Sequence, residues 1–323
     1  MRTVPLGGQG LVVSAQGLGC MGMSQSYGTA NDIASAHTLH RALDLGVTFL
    51  DTADVYGTTG VAGFGANEEL LGATLASRRD EFVLATKCGI RDIVAGAARF
   101  ELDGSPDYIR AACEASLRRL RTDRIDLYYL HRVDPRTPIE ESIAAMAELV
   151  AAGKVRYLGL SEVDAEEVEA AHRTHPISAV QSEYSLWTRG IEDAVLPTAR
   201  RLGIGIVAFS PLGRGFLTAT ISTTDGFPDN DSRRRLPRFT PEALRGNQRI
   251  VDTVRALAAE RSCLAGQVAL AWVHARGSDV VPIPGTKRVE YLEQNVGALD
   301  VRLSTDDLAR LDGLAAETVG SRY

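Results

Sequence analysis

The chain has 323 residues, 45% hydrophobic and 24% charged, enough for one large α/β barrel or two ordinary domains. Its 35 basic and 41 acidic residues give a net charge of −6, which argues against nucleic acid as a bulk partner. No apolar run reaches membrane-spanning length, MRTVPLGGQG lacks the apolar core of a secretion signal, and Cys20, Cys88, Cys113 and Cys263 have neither disulfide nor zinc spacing, so a reduced cytoplasmic protein away from membranes is expected.

Two short apolar runs near Thr3–Val4 and Leu11–Val13 flank GGQG and predict a β-hairpin. SAQGLGCMGMS (14–24) reads as a first strand ending in a Gly-rich turn. Gly17, Gly19 and Gly22 suit either close backbone approach to a ligand or a tight turn, and their spacing is not the dinucleotide fingerprint. Residues 31–45 carry helical periodicity, with Asn31 or Asp32 as cap and Gly46 past the end. Val47 to Leu50 is a buried strand by pattern, closed by Asp51, with Tyr56 in the Gly-flanked segment that follows. Taken alone, these letters fit a capping acid and a packed tyrosine as well as a catalytic pair.

The alternation continues. A helix over 67–76 precedes a strand over 81–87 that ends in Lys87, then a helix over 106–121 opened by Pro106. The strand 125–131 ends in His131 and leads to the helix 139–153. The strand 155–161 ends in Ser161, and the helix 164–174 follows. The strand 177–184 carries Gln181, and a helix near 191–202 leads to the strand 204–213. Helices at 251–262 and 265–277 precede the strand 279–285, and a last helix is expected over 303–315 with Ser304 as cap. Eight βα units predict an α/β fold, a (β/α)₈ TIM barrel with an N-terminal hairpin and extra C-terminal helices, as one domain spanning 1–323. The insert at 215–246, with SRRRLPR inside it, reads as a long loop without a packed core element. Two roles suit it, a solvated basic loop or a clamp that orders over phosphates.

In a barrel, Asp51, Lys87 and His131 fall at strand carboxyl ends, and Tyr56 lies in the loop after the second strand. Active sites of this fold occupy that rim. Lys87 paired with Asp51 is expected to lower the Tyr56 pKa toward working pH, and His131 to orient a carbonyl oxygen. That is a device for giving a proton to a developing alkoxide.

At this point the sequence resembles the aldo-keto reductases. GVTFLDTADVYG, VLATKCG, IDLYYLHRVDP, GKVRYLGLSE, VQSEYSLW, VAFSPLGRGFLT and VVPIPGTKRVEYLEQN match the family in order, nearly end to end. The nearest likeness is to its NADPH-dependent bacterial and plant branch, which includes perakine reductase and auxin-induced-type reductases. The resemblance implies reduction of a small-molecule aldehyde or ketone by NADPH, with Asp51, Tyr56, Lys87 and His131 as catalytic tetrad and Tyr56 as general acid. It implies that Ser161 and Gln181 hold the nicotinamide amide, with Glu162 where the family usually has asparagine. A carboxylate accepts from an amide NH₂ but cannot donate to its oxygen. Phe209 takes the place of a tyrosine that stacks on the ring, and Ser210, Pro211, Leu212 and Arg214 run along the pyrophosphate. Gly285, Thr286, Lys287 and Arg288 belong to the adenosine-phosphate segment, the 2′-phosphate ligand being open among Thr286, Lys287, Arg288 and backbone. Gln294 and Asn295 reach the adenine. Gly19, Cys20, Met21 and Asp51 lie near the nicotinamide and its ribose, with Met21 facing substrate space. No metal is expected, and self-association is left open. Two other readings fit the same letters. One is a cofactor-sensing binding protein like the potassium-channel β subunits; the other is a metal-dependent hydrolase, for which the chain lacks a close ligand pair.

Overall fold

The computed structural model describes residues 1–58, 63–94, 99–315 and 318–322. The strands are β1 (Thr3–Pro5), β2 (Val12–Ser14), β3 (Leu18–Gly19), β4 (Phe49–Asp51), β5 (Val83–Cys88), β6 (Ile90–Val94), β7 (Arg99–Leu102), β8 (Ile125–Leu130), β9 (Val155–Ser161), β10 (Ile177–Glu183), β11 (Gly205–Phe209) and β12 (Val280–Pro282). The helices are α1 (Asp32–Asp44), α2 (Ala66–Leu75), α3 (Pro106–Leu120), α4 (Ile139–Ala151), α5 (Ala165–Thr174), α6 (Val195–Arg201), α7 (Pro241–Gly246), α8 (Gln248–Glu260), α9 (Ala265–His274), α10 (Val289–Val296) and α11 (Thr305–Asp312).

Eight strands form one parallel sheet in the order β12-β11-β10-β9-β8-β5-β4-β3. The seam closes where Gly17 N–H donates to Pro282 O at 3.0 Å and Gly19 bridges Gly285. Glycine is required there: a Cβ on Gly17 would sit 2.8 Å from Phe49 and Ile283. The eight-unit barrel expected from the sequence is therefore the observed fold.

Strand period sets what faces inward. Phe49, Ala85, Leu127, Ala179, Val207 and Val281 form one buried interior cluster. Two residues further along their strands, on the same face, come Asp51, Lys87, Tyr129, Gln181, Phe209 and Ile283. Continuing the same alternation, His131 lies just past β8 and Ser161 closes β9. One parity thus gives an apolar floor and a polar upper layer. The β1–β2 hairpin closes the opposite end, with Leu6 packed against Gly205 at the start of β11.

Two stretches differ from the sequence expectation. Between Lys87 and Pro106 the chain makes an antiparallel hairpin, β6–β7, for which no element was expected. The insert at 215–246 is not devoid of packed structure: it contains short 3₁₀ turns and α7, and Phe239, Ala243 and Leu244 are buried. Thr240 caps α7 by accepting from Ala243 N at 3.2 Å, and Pro241 takes the first helical position. Charge composition hid a helix start that Thr-Pro encodes. Elsewhere the expected caps hold: Asn31 accepts from Ala34 N, and Ser304 forms a capping box. Asp164, for which no cap was expected, forms another. Among the described residues no helix is long and apolar enough to cross a membrane.

Candidate active site

The upper layer converges on Lys87, whose side chain is fully buried. Its Nζ donates to Asp51 Oδ1 at 2.6 Å, Thr52 O at 2.7 Å and Tyr56 Oη at 3.1 Å, using all three ammonium donors. Asp51 accepts from Gln181 Nε2 at 2.7 Å on its other oxygen. The His131 ring stands edge-on to Tyr56, with centroids 5.8 Å apart at 83°. Asp51, Tyr56, Lys87, His131 and Gln181 are thus brought together.

Burial works against the Lys87 charge, but Asp51 and Tyr56 outweigh it and hold the pKa above the ordinary lysine value. The Tyr56 expectation is corrected. Burial pushes the phenol up, and although Lys87 and Arg132 pull it down, its pKa stays above the ordinary tyrosine value. The phenol therefore keeps its proton at neutral pH, the form a proton donor needs. Burial, then Lys87 and Arg132, push His131 well below the ordinary histidine range, so the imidazole is neutral. Among the described residues its Nδ1 is buried without a hydrogen-bond partner.

Around this centre the other expected residues take defined places. Cys20 N–H donates to Asp51 O at 2.9 Å, and burial keeps its thiol protonated. Met21 packs with Ala53, Val55, Tyr56, Ile90 and Leu102, an apolar wall beside the phenol. Ser161 Oγ accepts from Arg132 Nη1 at 3.2 Å. Glu162 has φ 55° and its carboxylate is committed within the chain, accepting from Glu183 N at 3.0 Å and pairing with Arg322. After Phe209 the backbone turns left-handed at Ser210, Gly213, Arg214 and Gly215, with Pro211 and Leu212 between. Such turns gather N–H groups into an anion-binding concavity. Arg214 Nη2 donates to Glu183 at 3.0 Å.

Gly285 is joined to Gly19 at the seam, and Thr286 Oγ1 accepts from Arg288 N at 3.1 Å. Arg288 precedes α10 without capping it, so the first-turn amides of α10 receive no side-chain cap. Lys287 turns away from that helix: its Nζ donates to Tyr27 O at 2.9 Å and Thr29 O at 2.8 Å. Gln294 lies half-buried on α10, and Asn295 beside it is buried.

Residues 16–316 match the sequence profile of the Aldo/keto reductase family. The chain belongs to that family. It is similar to the glycerol dehydrogenase AKR11B4 of Gluconobacter oxydans at 28% identity, covering 99% of this chain and 97% of that one, with a TM-score of 0.85. It is also similar to a thermostable aldo-keto reductase, Tm1743, solved with the inhibitor epalrestat, at 29% identity over 97% of this chain and 100% of that one, with a TM-score of 0.76. The holo form of aldo-keto reductase AKR11C1 of Bacillus halodurans shares 28% identity over 100% of this chain and 98% of that one, with a TM-score of 0.75.

The residues fit the nicotinamide cofactor an aldo-keto reductase uses. The left-handed turns after β11 and the first turn of α10, without a side-chain cap, offer backbone N–H groups of the kind that phosphate groups accept from. Sequence reasoning missed three supports of this aldo-keto reductase site. Asn67 donates to Cys20 O at 2.9 Å and Ser24 Oγ at 2.7 Å, fixing the first turn. Arg132 and Arg322 surround Ser161 and Glu162. Arg132 stands in the LHRVDP motif, but no local pattern announces where its guanidinium points.

Proposed function

We propose that this chain reduces aldehydes or ketones to alcohols with NADPH, Tyr56 being the general acid. The observation that carries this reading is the three-way contact of Lys87 with Asp51, Thr52 O and Tyr56 Oη. Asp51 keeps the ammonium charged and pointed. The phenol gives its proton to the carbonyl oxygen as negative charge develops there. The phenolate left behind lies at hydrogen-bond distance from a fixed cation, so its charge is stabilised without reorganisation. Neutral His131 presents a ring nitrogen to the same carbonyl oxygen and orients it. When bound, the reduced nicotinamide supplies the hydride for the carbonyl carbon. Ser161 and Gln181 would hold its amide, Phe209 its ring face, and Gly19, Cys20 and Met21 would line its ribose. Ser210 to Arg214 would receive the pyrophosphate, and Gln294 and Asn295 the adenine. Thr286, Arg288 and the α10 amides would take the 2′-phosphate, while Lys287 braces the loop at Tyr27 and Thr29. Seven ordered motifs support membership of the perakine-reductase-like, auxin-induced-type branch, and a cytoplasmic site of action belongs to the same proposal.

The test is NADPH oxidation against a panel of aldehydes, ketones and quinones. Turnover of at least one class is expected; cofactor binding with no turnover of any would leave a cofactor-sensing protein instead. Cofactor choice is tested by Arg288→Ala, which should raise KM for NADPH several-fold more than for NADH, because only NADPH carries the phosphate whose charge-assisted bonds are lost. Equal weakening of both would remove Arg288 from the 2′-phosphate site.

A further inference from the structure

Arg132 follows His131 directly, and Nη1 anchors its guanidinium from one side. This nitrogen donates to His131 O at 2.7 Å and Ser161 Oγ at 3.2 Å. Phe100 of β7 lies under the guanidinium, 5.6 Å from ring centre to Cζ. Among the described residues, Nε and Nη2 make no hydrogen bond, and the nearest carboxylate, Glu162, is 4.0 Å from Nη2.

Among the described residues Glu162 forms only a long ion pair with Arg132, at 4.0 Å, and the nearby acids have closer partners. Glu162 pairs with Arg322 and accepts from Glu183 N. Glu183 accepts from Arg214 at 3.0 Å and from Thr188 at 3.0 Å. Asp134, two residues along, is taken by Arg136 at 2.9 Å. The guanidinium is thus held on its Nη1 side, and among the described residues its Nε–Nη2 edge makes no hydrogen bond. That edge is the fork that a carboxylate accepts from in a bidentate pair. Arg132 adjoins His131, whose ring stands edge-on to Tyr56, and Tyr56 is the residue that packs with the apolar wall of Met21, Val55, Ile90 and Leu102. The charge of Arg132 also reaches the reacting groups, pulling both Tyr56 and His131 down.

We propose that Arg132 recognises an anionic group on the substrate, so that this chain prefers carbonyl compounds carrying a carboxylate, aldehyde acids or keto acids, over neutral analogues of the same length. This rests on the reductase reading and names its substrate class. Arg132 anchors the carboxylate, and the apolar wall and Tyr56 receive the carbonyl end. A fork held by Ser161 and by Phe100 loses little side-chain freedom on binding, which favours affinity.

The experiment compares 4-oxobutanoate with butanal, both of four carbons, in the wild-type chain, Arg132→Gln and Arg132→Lys. Charge-assisted hydrogen bonds predict that the wild type favours the acid by about 10- to 100-fold in kcat/KM, mostly through KM. Arg132→Gln should bring the acid-to-neutral ratio close to one, and Arg132→Lys should keep part of it, since it retains the charge without the fork. The acid's KM should also rise with salt more than that of butanal. The dissociation constant of NADPH, read from its fluorescence, separates a substrate role from a cofactor role. A wild-type ratio near one would overturn the proposal. So would a ratio that Arg132→Gln leaves intact, a parallel fall in kcat for both aldehydes, or a loss confined to NADPH affinity. In each of these cases turnover of butanal would still support the reductase reading. No NADPH oxidation with any carbonyl compound would overturn both.

Discussion

Two buried ion pairs of the same length sit at opposite ends of the barrel and do different things. Lys87 and Asp51 meet at 2.6 Å on the carboxyl-end rim, and Arg79 and Asp126 meet at 2.6 Å near the starts of β5 and β8. Arg79 directs its remaining donors to Thr122 Oγ1, Phe82 O and Arg124 O, and Asp126 also accepts from Leu84 N and Arg156. Every partner there is a fixed acceptor or donor, so that pair can only hold strands together. Lys87 differs in one contact: its third donor faces a phenol oxygen that can release a proton. Ion pairing is common to both ends; a proton-exchanging partner is found at only one.

Substitutions at the two ends should have different consequences. The largest effect is expected from Lys87→Met, which should lower kcat by roughly 10²–10⁴-fold in protein that still folds. Steady-state kinetics beside a denaturation curve measures both, and a variant that loses stability while keeping near-normal kcat would erase the distinction. Asp126→Asn should act in the opposite sense, destabilising the fold by about 3–5 kcal/mol because Arg79 is left buried without its counter-charge. The kcat of the folded fraction should stay close to wild type. A large fall in kcat there would mean that the lower pair transmits to the site.

A smaller effect concerns a histidine at the lower end. Burial pushes the His274 pKa down to about 4, with the Arg2 charge adding to it, and its Nε2 lies 3.2 Å from Gln16 Oε1. Its folded pKa lies below the unfolded value, so its contribution is fully present above about pH 6.5 and is lost as pH falls toward 4. Across that window the loss should be about 2–3 kcal/mol, and His274→Gln should flatten this limb without moving the kcat profile. An unchanged acid limb would assign it to other groups.

Much of the rim was legible because strand period is a local property. Once Val47–Leu50 and IDLYYL are read as strands, Asp51 and His131 must close them at the same end, and the barrel supplies their convergence. Contacts across the chain were not legible. Lys287 looks like a phosphate ligand in TKR, yet its ammonium reaches back to Tyr27 and Thr29, which no nearby residue announces. Glu162 looks like a weakened amide ligand, and only the fold brings Arg322 to it. The Tyr56 pKa failed for a related reason. Sequence names the charged neighbour, whereas desolvation depends on everything packed around the phenol, and here desolvation is the larger influence.

The proton-donor role of Tyr56 is tested most directly by the single-turnover rate of NADPH oxidation in Tyr56→Phe, with enzyme, cofactor and a good aldehyde substrate all saturating. The substitution keeps the ring against His131 and Lys87 and removes only the acidic hydrogen. The rate should fall by roughly 10²–10⁴-fold with NADPH affinity retained. A rate within about threefold of wild type would contradict that role, and the proton would have to come from another group.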